Sequence, residues 1–140
     1  MRQNNLLKDA MLMLRELRFA RFWLMFGWLA VIAALIVCLM PASMVEVPGV
    51  NDKVEHALGY VLLTLWFCGI YPRSKYWVIA LGYLLFGILI EILQGAMHWG
   101  RHADVHDVYA DMAGIAVGLL VALTPLGRWP KWIEAIIPSK

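Results

Sequence analysis

Residues 22–40 read FWLMFGWLAVIAALIVCLM, nineteen positions without a charge. A membrane-crossing helix needs about 20 mostly apolar residues. Within lipid the backbone must satisfy its own hydrogen bonds, so such a run predicts a helix. Three further runs follow. Residues 56–71 are bounded by Pro72, residues 76–99 carry one acid at Glu91, and residues 107–126 begin with acids and close near Pro125 and Gly127. The pattern predicts an all-α, polytopic membrane protein with four transmembrane helices, forming one domain over residues 1–140.

Composition agrees. Hydrophobic residues make up 62% of the 140 and charged residues 16%, with a mean hydropathy of +0.70. Soluble domains average about 45–50% apolar and about 25% charged. A core this small cannot hide so many apolar side chains. A disordered chain, a basic nucleic-acid-binding domain and a disulfide-stapled secreted domain are excluded. No nucleic acid is expected as a partner.

Lysine and arginine set the orientation. Of the 12, Arg2, Lys8, Arg15, Arg18, Arg21, Arg73, Lys75, Arg128, Lys131 and Lys140 fall on one side, and only Lys53 and Arg101 on the other. The positive-inside rule then places both termini in the cytoplasm. The first run is too long for a signal-peptide core and lacks an A-x-A-like site after it. Amphipathic interfacial segments are expected at both ends. Leu6, Leu7, Ala10, Met11, Leu14 and Leu17 recur at helical spacing before the first span, and Trp129, Trp132, Ile133, Ile136 and Ile137 can form a second segment after the last. Cys38 and Cys68 lie about 18 Å apart in depth, too far for a disulfide.

The outer side carries the polar residues. Seven of the ten acids (Glu46, Asp52, Glu55, Glu91, Asp104, Asp107, Asp111) gather there with His56, His98, His102 and His106. Asp52, His56 and Tyr60 share one helix face, as do Glu91, Gln94 and His98. Asp107 and Asp111 share a face that continues through Gly114 and Gly118, small residues that let a neighbouring helix approach. Glu91 lies roughly 12 Å below the outer end of its run, where an acid by default marks a function. Arg101 offers a planar fork suited to phosphate or carboxylate. These residues predict an outward-facing polar cavity. It can bind an anionic headgroup through Arg101 and Lys53, a divalent metal through carboxylates such as Asp107 and Asp111, or both. The alternative is structural: Arg101 with Asp104 or Asp107, and Lys53 with Glu91, as ion pairs that only lock helix register. The spacing of His98, His102 and His106 also suits a metal, although Gly100 interrupts it.

Enzyme templates are sparse. A His-Glu-x-x-His element, a P-loop and a Gly-x-Ser-x-Gly elbow are all absent. The Arg101…His106 pair is similar to that of membrane lipid phosphatases, but their Pro-Ser-Gly-His element is missing.

The series Asp52-Lys53-Val54-Glu55-His56 with Tyr60, Glu91 with Gln94, Arg101, Asp104 and Asp107, then Gly114 and Gly118, resembles the VanZ-like family. These are small bacterial membrane proteins named for one associated with teicoplanin resistance. The resemblance covers residues 52–118. One departure is Asp111, where the family usually has Asn, adding a negative charge. The resemblance implies a four-helix inner-membrane protein with a cell-envelope role, linked to glycopeptide tolerance and partnered by membrane lipids or a lipid-linked wall precursor. It implies no settled reaction. Three readings follow: a binder of anionic headgroups, a metal-assisted enzyme on lipid phosphates with Glu91 or His56 as general acid or base, and a non-catalytic scaffold or subunit. A homo-oligomer is compatible with each, and a transporter would require one.

Overall fold

The computed structural model describes residues 16–45, 49, 51–97 and 102–138, with the side chains of Ala42 and Val45 excepted. All regular structure among them is helical: α1 (Ala20–Leu39), a single turn α2 (Ala42–Val45), α3 (Asp52–Ile70), α4 (Tyr76–Met97), α5 (Val105–Leu123) and α6 (Trp129–Ile136). Short 3-10 turns, Arg73–Lys75 and Pro125–Arg128, lead into α4 and α6.

Helix ends follow local chemistry. Asn51 caps α3 by accepting the Lys53 N–H, so α3 starts at Asp52 rather than at residue 56. Asp104 caps α5 by accepting the His106 N–H. That helix ends at Leu123, before residue 126, because Thr124 turns extended and Pro125 opens a tighter turn. The first helix runs from Ala20 to Leu39, two residues earlier than residue 22 at its start and one short of residue 40 at its end.

The bundle is polar within and apolar without. Buried polar side chains are His56, Thr64, Glu91, Gln94, Asp107 and Asp111, while Trp28, Leu62, Trp77, Ile92 and Leu120 are among many large apolar side chains left exposed. Water would reverse this distribution; a hydrocarbon solvent favours it. Helices α1, α5 and the segment Arg73–Met97 are long and apolar enough to cross a membrane. Helix α3 matches α5 in length at 19 residues, but opens with Asp52, Lys53, Glu55 and His56.

Helices α3 and α5 make the most extensive contact in the bundle. Glycines permit it. A Cβ on Gly114 would strike the Ala57 carbonyl oxygen, and one on Gly118 would lie 2.8 Å from Thr64 Cβ. Tyrosines on α4 tie down free carbonyl lone pairs: Tyr76 donates to the Cys68 and Ala122 oxygens (3.1 and 3.3 Å), and Tyr83 to Leu63 (3.3 Å). Helix α1 is held by Gly27 against Trp66 and Phe67, and by Trp66 Nε1 donating to the Trp23 carbonyl at 3.0 Å.

Trp129, at the start of α6, packs against the bundle. Its ring lies 4.6 Å from Trp66 and 5.2 Å from Trp23, and its Nε1 donates to the Leu65 carbonyl at 3.3 Å. The next turn supplies Glu134. Its Oε2 accepts the Arg18 N–H (2.8 Å), and its Oε1 accepts the Phe19 N–H (2.9 Å) and Trp23 Nε1 (2.8 Å). Phe19 offers no side-chain cap of its own. A carboxylate from α6 therefore caps α1 in its place. Cys38 and Cys68 form no disulfide. The expected interfacial segment before α1 lies outside the described residues.

Candidate functional site

The amino ends of α3 and α5 lie at the same end of the bundle as the carboxyl ends of α1 and α4. Gln94, near the end of α4, donates to the Cys38 carbonyl at the end of α1, at 2.8 Å. Acids near the amino ends of α3 and α5 suit the partial positive charge there. The polar stripes of α3, α4 and α5 thus converge at one end.

Lys53 is bound by two carboxylates. Its Nζ lies 2.8 Å from Asp104 Oδ2 and 2.8 Å from Asp107 Oδ1. Asp107 is 5% exposed. The structural alternative of a Lys53–Glu91 pair is therefore replaced by Lys53–Asp104 and Lys53–Asp107. Glu91 serves elsewhere: its Oε2 accepts the Asp104 N–H at 2.7 Å, fixing the loop before α5. Its Oε1 is buried without a hydrogen-bond partner among the described residues.

Below Lys53, His56 Nδ1 lies 3.0 Å from Asp111 Oδ1, both nearly enclosed. The other Asp111 oxygen and the Tyr60 hydroxyl sit against Gly87, where a Cβ would meet both. Gly87 is the residue that sequence reasoning missed. The available signal was its place on the face of α4 that carries Glu91 and Gln94.

Asp104 is the hinge of the cluster. It caps α5, binds Lys53, and accepts from His106 through both the backbone N–H (2.9 Å) and the ring Nδ1 (2.7 Å). The Lys53 ammonium, followed by the His106 contacts, holds its carboxyl well below the usual carboxylate range.

The structure thus brings together Asp52, Lys53, His56, Tyr60, Glu91, Asp104, Asp107 and Asp111. Gln94 is committed to a backbone tie with α1. Arg101 and His98 lie outside the described residues. His102 and His106 are exposed, and His106 is engaged by Asp104.

For a metal, the geometry groups Asp52, His56 and Asp107. One ligand atom from each lies within 4.8 Å of the others. Asp111, expected beside Asp107 as a ligand, holds His56 Nδ1 and leaves Nε2 as the nitrogen for a further partner. A carboxylate behind a histidine is the usual outer support of a metal-bound imidazole. Taken together, the described charges of the cluster are net acidic.

Comparison with protein-family models, with curated proteins and with solved structures finds no match. The resemblance to the VanZ-like family rests on the residues quoted for it.

Proposed function

We propose that the chain is a VanZ-like cell-envelope protein of the bacterial inner membrane. It crosses the membrane four times with both termini in the cytoplasm, and binds an anionic lipid or lipid-linked headgroup at its outer polar cluster. The observation that carries this reading is the burial of His56, Glu91, Asp107 and Asp111 at one end of a bundle whose outer surface is apolar. Ionisable groups so placed are costly, and a ligand is the usual reason to retain them. Among the described residues Glu91 Oε1 is buried without a partner, a polar demand of about 1–3 kcal/mol that a ligand can meet. Counting α3 as a span is supported by its central position. A helix packed against protein on several sides does not need a uniformly apolar surface. Arg101 and Lys53 supply the cations for phosphate. Trp132, Ile133 and Ile136 on α6 form the second interfacial segment.

Native mass spectrometry of protein gently extracted from its own membrane tests this, with wild type beside Arg101→Ala and Lys53→Ala. A phosphate-bearing lipid retained by the wild type and lost in either variant is the expected result. Bare protein in all samples, with both variants less stable, favours the scaffold reading. Glycopeptide tolerance that survives Arg101→Ala separates this member from the resistance role.

The grouping of Asp52, His56 and Asp107 favours a second reading, in which a divalent cation at those ligands polarises a lipid phosphate. Glu91 then stands as general acid or base. This reading requires metal that co-purifies and falls away in His56→Ala, and turnover of lipid phosphates that a chelator stops. Absence of turnover with every divalent metal tried removes the enzymatic form.

A further inference from the structure

The opposite end of the bundle holds a second feature, built from residues that the charge bias of the chain does not by itself bring together. Pro72 opens the 3-10 turn that carries Arg73. Thr124 ends α5, and Pro125–Arg128 turns the chain toward α6. Gly127 makes that reversal tight: a Cβ there would collide with the Ala122 carbonyl. The reversal returns Arg128 and Lys131 to the flank of Arg73. The three line one open cavity of about 390 Å³ with Pro72, Ala122 and Thr124.

No carboxylate lines this cavity among the described residues. The acid of the adjoining helix, Glu134, is occupied by Arg18, Phe19 and Trp23. One Arg73 Nη2 donates to the Leu123 carbonyl at 2.7 Å, closing the carboxyl end of α5 and leaving other guanidinium N–H groups available. Three like charges around one cavity repel unless an anion joins them. The positive-inside rule requires cations at this end but not their convergence. Two guanidinium forks and an ammonium match the oxygens of a phosphate. Leu123, between the lining residues Ala122 and Thr124, and Leu126, in the turn Pro125–Arg128, are exposed, an apolar surface that suits an acyl chain.

We propose that Arg73, Arg128 and Lys131 form a binding site for the phosphate of an acidic phospholipid, at the end of the bundle opposite the polar cluster. Basic pockets between helices at the membrane surface recognise such headgroups.

The full chain is reconstituted in nanodiscs of phosphatidylcholine alone or mixed with phosphatidylglycerol, and retained lipid is measured by native mass spectrometry. Wild type retains phosphatidylglycerol in preference. Arg128→Gln and Lys131→Gln, exposed positions with little bearing on folding, each lower that retention about tenfold. Lys75→Gln, a cation at the same end but outside the cavity, leaves it unchanged. Inorganic phosphate that displaces the lipid from wild type supports the phosphate site and assigns it to a soluble anion as well. Equal retention of both lipids by wild type overturns the proposal. So does a loss in Lys75→Gln as large as in Arg128→Gln, which marks general surface charge.

Discussion

His56 and Asp111, 55 residues apart in sequence, meet at 3.0 Å with 5% and 2% of their side chains exposed. The contact joins α3 to α5 at the depth where each carries its last Asp, Glu, His, Lys or Arg side chain. Removing one member strands the other. Asp111→Ala is expected to cost about 3–5 kcal/mol, the usual loss when a buried ionic partner is deleted. Asp111→Asn keeps an acceptor for His56 and should cost less. Thermal unfolding of both variants in one detergent checks the order, and equal losses would show that the Asp111 charge, and not the acceptor it offers His56, carries the contact.

Gly114 and Gly59 provide a matched pair of helix glycines. A methyl group on Gly114 would meet the Ala57 carbonyl of the facing helix, whereas one on Gly59 meets nothing within 4 Å. Gly114→Ala should destabilise by about 1–3 kcal/mol through overpacking. Gly59→Ala should stabilise by about 0.5–1 kcal/mol by restricting the unfolded chain and improving helix propensity. Melting curves that move in the same direction for both would contradict the close approach of α3 and α5.

Asp104 gives the protein an acid-labile contact. Its carboxyl is held low, first by Lys53 and then by His106. A group depressed in the folded state stabilises above its unfolded value of about 3.9, and that contribution disappears as pH falls through the folded value. Asp104→Asn keeps the helix cap but not the charge. The stability difference between wild type and Asp104→Asn should therefore be constant near neutrality and shrink below about pH 4. A difference that grows on acidification would reverse the assignment.

Replacing Glu134 by alanine should loosen the start of α1. Burial works to raise its carboxyl, but the Phe19 and Arg18 N–H groups and Trp23 Nε1 outweigh it and hold the group low. Glu134→Ala exposes the orphan donors of α1, an expected loss of about 1–2 kcal/mol by analogy with other cap deletions. Quenching of tryptophan fluorescence by an aqueous quencher should rise with the release of Trp23. Unchanged quenching would mean that α1 stays docked without the carboxylate.

Much of the site could be read from spacing. Asp52, His56 and Tyr60, then Glu91 and Gln94, then Asp107, Asp111, Gly114 and Gly118 each occupy a common helix face, and the latter two sets are buried along with His56 and Tyr60. Helical period alone is enough for that. Partner choice was not legible. Lys53 meets Asp104 and Asp107 instead of Glu91 because pairing depends on helix rotation and on the loop before α5, which spacing does not specify. Trp129 has the same limit. A tryptophan after a span suits a membrane interface, and only the tertiary position of Gly69, over which its Nε1 lies, makes the inward seat. Glu134 carries no motif at all, since its partners, two backbone N–H groups and the Trp23 indole, lie 111 to 116 residues away.

Helix α1 buries only Ala20, Trp23 and Gly27, and its amino end is clasped by a residue near the far end of the chain. Glu134 follows Trp23 by 111 residues, so the amino end of α1 gains this cap only after the three long helices between them have been translated. Until then α1 is held by its contacts with Trp66, Phe67 and Gln94. A chain cut short before Trp129 therefore keeps the seat of α1 on the bundle but leaves its first turn uncapped.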